Sequence, residues 1–165
     1  MENKAQQYDT LCRQIAALVK GESDETGVMA NVAAALKEAF PERFFWVGFY
    51  RITHSPSLLA REGEAVLRLG PFQGPVACYE ISFGKGVCGT AWKERKTIVV
   101  PDVEQFPGHI ACSSLSRSEI VVPVFDRQGE VQAVLDIDSR DLDAFDETDR
   151  LFLERIVKTM AGEIY

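Results

Sequence analysis

Apolar residues recur every three or four positions toward both ends of the chain and every second position through much of its middle. Tyr8, Leu11, Cys12, Ile15, Leu18 and Val19 share one side of a helix, with Asp9, Arg13, Gln14 and Lys20 opposite, and the pattern stops near Gly21. A Ser23-Asp24 cap opens a second helix on Val28, Met29, Val32, Ala33, Leu36 and Phe40, which Pro41 ends. Cys12 sits beside Leu11 and Ile15, where a cysteine acts as a small core hydrophobe. At the far end Asp146 caps a helix with Asp149 in its first turn and Leu153, Ile156, Val157 and Met160 at helical spacing.

Between these helices the chemistry changes to that of strands. Residues 44–52, FFWVGFYRI, are aromatic and β-branched, and alternation puts Trp46, Gly48 and Tyr50 on one face with Phe45, Val47 and Phe49 on the other. Two large rings flanking a glycine leave a notch, which suits a ligand or a neighbouring core side chain. HSPS then marks a turn, Leu58-Leu59 and residues 65–69 read as short extended runs, and the breakers of GPFQGPVAC interrupt them. Residues 79–83 make a short strand, GKGVCGTAWKERK a turn into a short helix, and residues 97–100 another strand. Residues 120–125 and 131–137 are strands joined by a turn at Asp126-Arg127-Gln128-Gly129. Helices at both ends of a mostly antiparallel sheet predict an α+β fold with those helices packed on one face.

One stretch has neither period. Residues 100–119, VPDVEQFPGHIACSSLSRSE, carry one of the chain's two histidines, His109, together with Cys112 and Glu119. A loop of that length inside a compact fold is uncommon and usually functional.

Composition narrows the possible partners. At 165 residues, 46% hydrophobic and 26% charged, the chain reads as a single globular domain. A net charge of -7 disfavours nucleic acid and anionic membrane surfaces, which select clustered lysine and arginine. The opening MENKAQQYD has no apolar signal core, and no apolar run approaches the roughly 20 residues of a membrane span, so a cytoplasmic protein is expected. There, four cysteines point to core packing, metal binding or redox chemistry rather than permanent structural disulfides.

Several residue sets carry candidate chemistry. Residues 84–89, GKGVCG, fit GxGxxG with Asp102 eighteen positions on, but the strands and helices do not alternate as a dinucleotide fold requires, so a tight turn and close packing explain the glycines. Along LDID, Asp136 and Asp138 share one strand face about 7 Å apart, which is unfavourable unless a cation or ammonium group lies between them or the strand end is solvated. Cys78, Cys88 and Cys112 lie outside the regular apolar stripes; with His109 they make a conceivable zinc set, although no CxxC pair is present. The redox alternative needs a nucleophilic thiolate, a second thiol within reach and an external reductant.

WVGFY, LGPFQGPVAC, GKGVCGTAW, VPDVEQFPGHIAC, SEIVVPV and VLDIDS, in that order, resemble the free methionine-(R)-sulfoxide reductase family, which is built on a single GAF domain. The resemblance spans residues 44–139, and the cysteine spacings of ten and twenty-four positions are similar to the family's triplet. It implies that Cys112 attacks the sulfoxide sulfur, Cys78 is the main resolving thiol and Cys88 an auxiliary one, with no metal or organic cofactor. It places the aromatic wall for the substrate's methyl end on Trp46 and Tyr50. Of its carboxylates, Glu119 is the expected proton donor, while Asp136 and Asp138 share the ammonium group and the sulfoxide oxygen. Free methionine sulfoxide is then the substrate, thioredoxin the reductant, and a homodimer is compatible. Two other readings remain open: a non-catalytic GAF sensor of a small ligand, and a metal-stabilised structural domain.

Overall fold

A computed structural model describes residues 3–54, 61, 63–110 and 112–165. The helices α1 (Lys4–Val19) and α2 (Glu25–Ala39) come first and α4 (Glu147–Ile164) last. Between them lie β1 (Trp46–Thr53), β2 (Val66–Gln73), β3 (Glu80–Ser82), α3 (Gly86–Glu94), β4 (Ile98–Val100), a 3-10 turn at Val103–Gln105, β5 (Ser118–Phe125) and β6 (Val131–Ser139). The expected caps are in place. Asp24 accepts from the Gly27 amide at 2.7 Å, and Asp146 and Asp149 form a capping box that opens α4.

The strands form one sheet in the order β3-β2-β1-β6-β5-β4, with every neighbouring pair antiparallel. Alternation then sorts the side chains into two cores. Val47, Phe49, Leu135 and Ile137 face α1, α2 and α4, with Cys12 buried among them. Trp46, Tyr50, Val121 and Val134 face the other way, where α3 covers part of the sheet. Helices therefore cover both faces of β5, seven of whose eight residues are buried, and this explains its unbroken apolar sequence. Asp149, buried in the first turn of α4, accepts from the Tyr8 hydroxyl at 2.7 Å and Lys4 Nζ at 2.9 Å and pairs with Arg43, tying α1 and the approach to β1 onto α4.

Three local expectations need correction. GPFQ does not interrupt the second strand; β2 runs to Gln73, and Gly70 and Pro71 together oppose Phe49 in a bulge between the Gly48–Phe72 and Tyr50–Leu69 pairs. A bulge leaves a residue out of the ladder, so proline fits there. Phe45 lies with Trp46 rather than with Val47 and Phe49, because it precedes the first strand residue and escapes the alternation. Leu18, assigned to the apolar side of the first helix, is 46% exposed. The HSPS turn beyond His54 and the Leu58-Leu59 run lie outside the described residues. Among those described, no helix is long and apolar enough to cross a membrane.

Candidate active site

Sheet register brings the distant acids together. Trp46 pairs with Asp138, Asp138 with Glu119, and Glu119 with Val100, so one row crosses β1, β6, β5 and β4. The next row is Gly48, Asp136 and Val121. Both rows lie on the face away from α1, α2 and α4, beneath the first turn of α3, which supplies Cys88. The glycine motif around that cysteine is a packing device: a Cβ on Gly89 would lie 2.5 Å from the Ser82 carbonyl oxygen.

The result is a pocket floored by Trp46, Tyr50, Cys88, Glu119, Asp136 and Asp138. One rim is the segment from Pro75 to Cys78, held by two hydrogen bonds from the aromatic floor. Trp46 Nε1 donates to the Pro75 carbonyl at 3.0 Å and Tyr50 OH to the Cys78 carbonyl at 3.0 Å. The other rim belongs to the long loop, with His109, Ile110, Cys112 and Ser116 lining it. A Cys78–Cys112 disulfide joins the rims, with Cα atoms 5.7 Å apart. Cys112 is exposed at the mouth, whereas Cys88 is 3% exposed and belongs to the apolar core around α3 as much as to the pocket. The conceivable Cys78-Cys88-His109-Cys112 zinc set is not assembled, since two of its sulfurs are bonded to each other.

Burial sets the protonation of the floor. It pushes the Glu119 carboxyl well above the ordinary range, and the charge of Asp138 adds to this against an opposing hydrogen bond with Asp136. Asp136 is raised by burial and then by the charge of Glu119. Asp138 is raised by burial and then by Asp136, while the Ser116 hydroxyl, which donates to it, stabilises the ionised form. The Cys88 thiol is held protonated, first by burial and then by the neighbouring acids. Burial also lowers His109, so its 3.6 Å approach to Glu119 brings together two groups that burial pushes toward their neutral forms. Such a floor favours acids that keep a proton for donation, and it welcomes a cation that would stabilise their ionised form.

Trp46, Tyr50, Cys88, Cys112, Glu119, Asp136 and Asp138, all expected from the sequence, therefore line one pocket, and Cys78 joins them through its disulfide to Cys112. Three further contributors were missed. Ser116 is one of several serines in its loop and carries no distinguishing signal, alternation alone places Phe45 on the opposite face, and His109 is marked in the sequence only as a metal ligand.

Comparison with known proteins gives a consistent picture. Residues 22–164 match the GAF domain family. GAF domain-containing protein A of Dictyostelium discoideum is 53% identical over 158 residues, which cover 96% of this chain and 92% of that protein. A Saccharomyces cerevisiae protein named free methionine-R-sulfoxide reductase is 40% identical over 159 residues, covering 94% of this chain and 84% of that one. The X-ray structure of free methionine-R-sulfoxide reductase from Neisseria meningitidis in complex with its substrate matches with a TM-score of 0.88 and 48% identity, over 99% of this chain and 91% of that chain.

Proposed function

The chain belongs to the free methionine-R-sulfoxide reductase family of GAF domains, and from that premise we propose that residues 1–165 act as one domain reducing free L-methionine (R)-S-oxide to L-methionine at the expense of a dithiol. The observation that carries this reading is the Cys78–Cys112 disulfide at the mouth of a pocket floored by aromatic rings and buried acids.

The reduced protein presents Cys112 as a thiolate to the sulfoxide sulfur while Glu119 gives its proton to the sulfoxide oxygen. The oxygen then passes from the substrate sulfur to Cys112: the substrate S–O bond and the transient Cys112–sulfur bond break, a Cys112–oxygen bond forms, and methionine leaves behind a Cys112 sulfenic acid. Cys78 then attacks the Cys112 sulfur, water departs, and the disulfide forms. The methionine sulfur has gained two electrons and each cysteine sulfur has lost one. Reduced thioredoxin returns both through thiol exchange at the exposed Cys112, so the cycle consumes one dithiol and releases one water. A compartment that supplies reduced thioredoxin is needed, and the cytoplasm meets that need.

Trp46 and Tyr50 hold the methyl end, where sulfur against an aromatic edge contributes roughly 0.3–1.5 kcal/mol. Asp136 and Asp138 take the ammonium group and the sulfoxide oxygen, the ammonium providing the counter-charge that the buried acids lack. Cys88, buried with its thiol held protonated, is the weaker resolving thiol. The acids on the floor offer a place for a free ammonium group, which a residue inside a peptide chain lacks, and this favours the free amino acid.

A stereochemically resolved assay on free and peptide-bound methionine sulfoxide tests the reading. Cys112→Ser is expected to abolish reduction, and Cys78→Ser to retain one turnover with rescue by dithiothreitol. Full thioredoxin-coupled turnover by Cys112→Ser would refute it.

A further inference from the structure

Beneath the disulfide, Cys88, Glu119 and Asp136 bring one sulfur and two carboxylate oxygens within 4.8 Å of one another. They come from three elements, α3, β5 and β6, and their residues are only 3%, 5% and 7% exposed. Two buried acids this close ordinarily share a proton, and that accounts for part of the arrangement. It does not account for Asp136 Oδ1, which is buried in the pocket without a hydrogen-bond partner. An acceptor left so bears its desolvation uncompensated, and a cation would satisfy it, whether the substrate's ammonium when the pocket is filled or a metal ion when it is empty.

The donor set selects the ion. One sulfur and two oxygens with a side open to the pocket match the three-ligand, open fourth position of zinc sites, whereas calcium and magnesium require about six oxygens. Zinc–sulfur and zinc–oxygen bonds of about 2.3 and 2.0 Å put one sulfur and two oxygens roughly 3.3–3.5 Å apart in a tetrahedral site, so a pair at the 4.8 Å limit needs to close by about 1.3 Å.

We propose that Cys88, Glu119 and Asp136 form a site for Zn²⁺ or another thiophilic divalent cation, and that its occupancy shuts the pocket against substrate. Binding displaces the thiol proton and any proton on the two carboxyls, and no electron moves. The blocking part of the proposal rests on the reductase reading; the binding part does not.

The test uses the full chain with the Cys78–Cys112 disulfide intact, so that Cys12 and Cys88 are the free thiols. Titration with Zn²⁺ alone is expected to give one ion per chain with micromolar or tighter affinity. Cys88→Ser and Asp136→Asn should each weaken it at least tenfold, and Cys12→Ser, in the core on the other side of the sheet, should not. Co²⁺ as a second probe should give a sulfur-to-cobalt charge-transfer band that Cys88→Ser removes, and this readout does not depend on turnover. Absence of binding below about 1 mM, or binding indifferent to both pocket substitutions, overturns the site. Free methionine sulfoxide is expected to displace the ion; zinc that stays bound at saturating sulfoxide overturns the blocking. A protein that binds zinc but reduces no sulfoxide would sink the reductase reading and leave the site standing, and an active protein without zinc affinity would do the reverse.

Discussion

The indole of Trp46 lies across Gly48, where a Cβ would come within 2.5 Å of the ring, and it stacks on Tyr50 and Phe72 with centroids 6.0 and 5.2 Å away. The notch expected from alternation is thus filled by Trp46 and Phe72 together, and the pocket opens above the stacked rings. Trp46→Ala is expected to raise KM roughly tenfold with a smaller fall in kcat; the opposite split would make Trp46 structural. Glu119 makes two separable predictions. As proton donor, its replacement by glutamine should lower kcat by about 10²-fold or more. As a buried acid raised above its unfolded value, it contributes stability that is full below the unfolded pKa near 4.3 and is lost as pH rises through the folded value. Glu119→Gln should therefore flatten the decline of Tm on going from pH 5 to pH 9, and calorimetry finding equal slopes in both proteins would contradict the burial argument.

At the level of elements, α3 is the piece whose placement the pocket depends on most, because it carries Cys88 and closes one side. Its approach is set by glycine: at Gly89 the nearest atoms to an added Cβ are backbone atoms of Ser82 and Gly84, 2.5 to 3.3 Å away, and none of them swings aside. Gly89→Ala should cost about 1–3 kcal/mol and reduce activity along with Tm. Gly162, in α4 with nothing within 4 Å of such a Cβ, is the contrasting site, where Gly→Ala should gain about 0.4–1 kcal/mol. Paired thermal melts of the two variants separate packing from helix propensity. The β5–β6 hairpin has a similar sensitivity: a slip of one residue would carry Leu135 and Ile137 into the pocket and the aspartates into the core.

Across the whole molecule the sheet separates a dry core beneath three helices from a second face that is apolar at its edges and acidic at its centre. Asp146 acts in the opposite direction to the pocket acids: Lys4 holds it at about 2, so its contribution is present above about 3.9 and fades as pH falls through 2. Stability is therefore expected to peak in the mildly acidic range, between the acid limb at α4 and the alkaline limb in the pocket. Cys78 sits between Val76, 88% exposed, and Tyr79, 78% exposed, an apolar approach to the disulfide that suits a protein reductant. Tyr79→Asp should raise the KM for thioredoxin severalfold and leave turnover driven by dithiothreitol unchanged; equal losses with both reductants would locate the effect inside the pocket instead.

Residue order alone determined the helices with their caps, the strand alternation that sends Asp136 and Asp138 to one face, and the long aperiodic loop, because periodicity and capping are properties of neighbours along the chain. Resemblance supplied the roles expected of Glu119 and the cysteine triplet, which no period marks. Tertiary structure decided the rest: that Glu119 stands beside Asp138, that Cys78 meets Cys112 across 34 positions, that Ser116 reaches Asp138, and that Phe45 turns toward the pocket. Those outcomes follow from sheet register, a bulge at Pro71 and two loops folding onto one face, and such long-range pairings are set by burial of the whole chain rather than by the residues on either side.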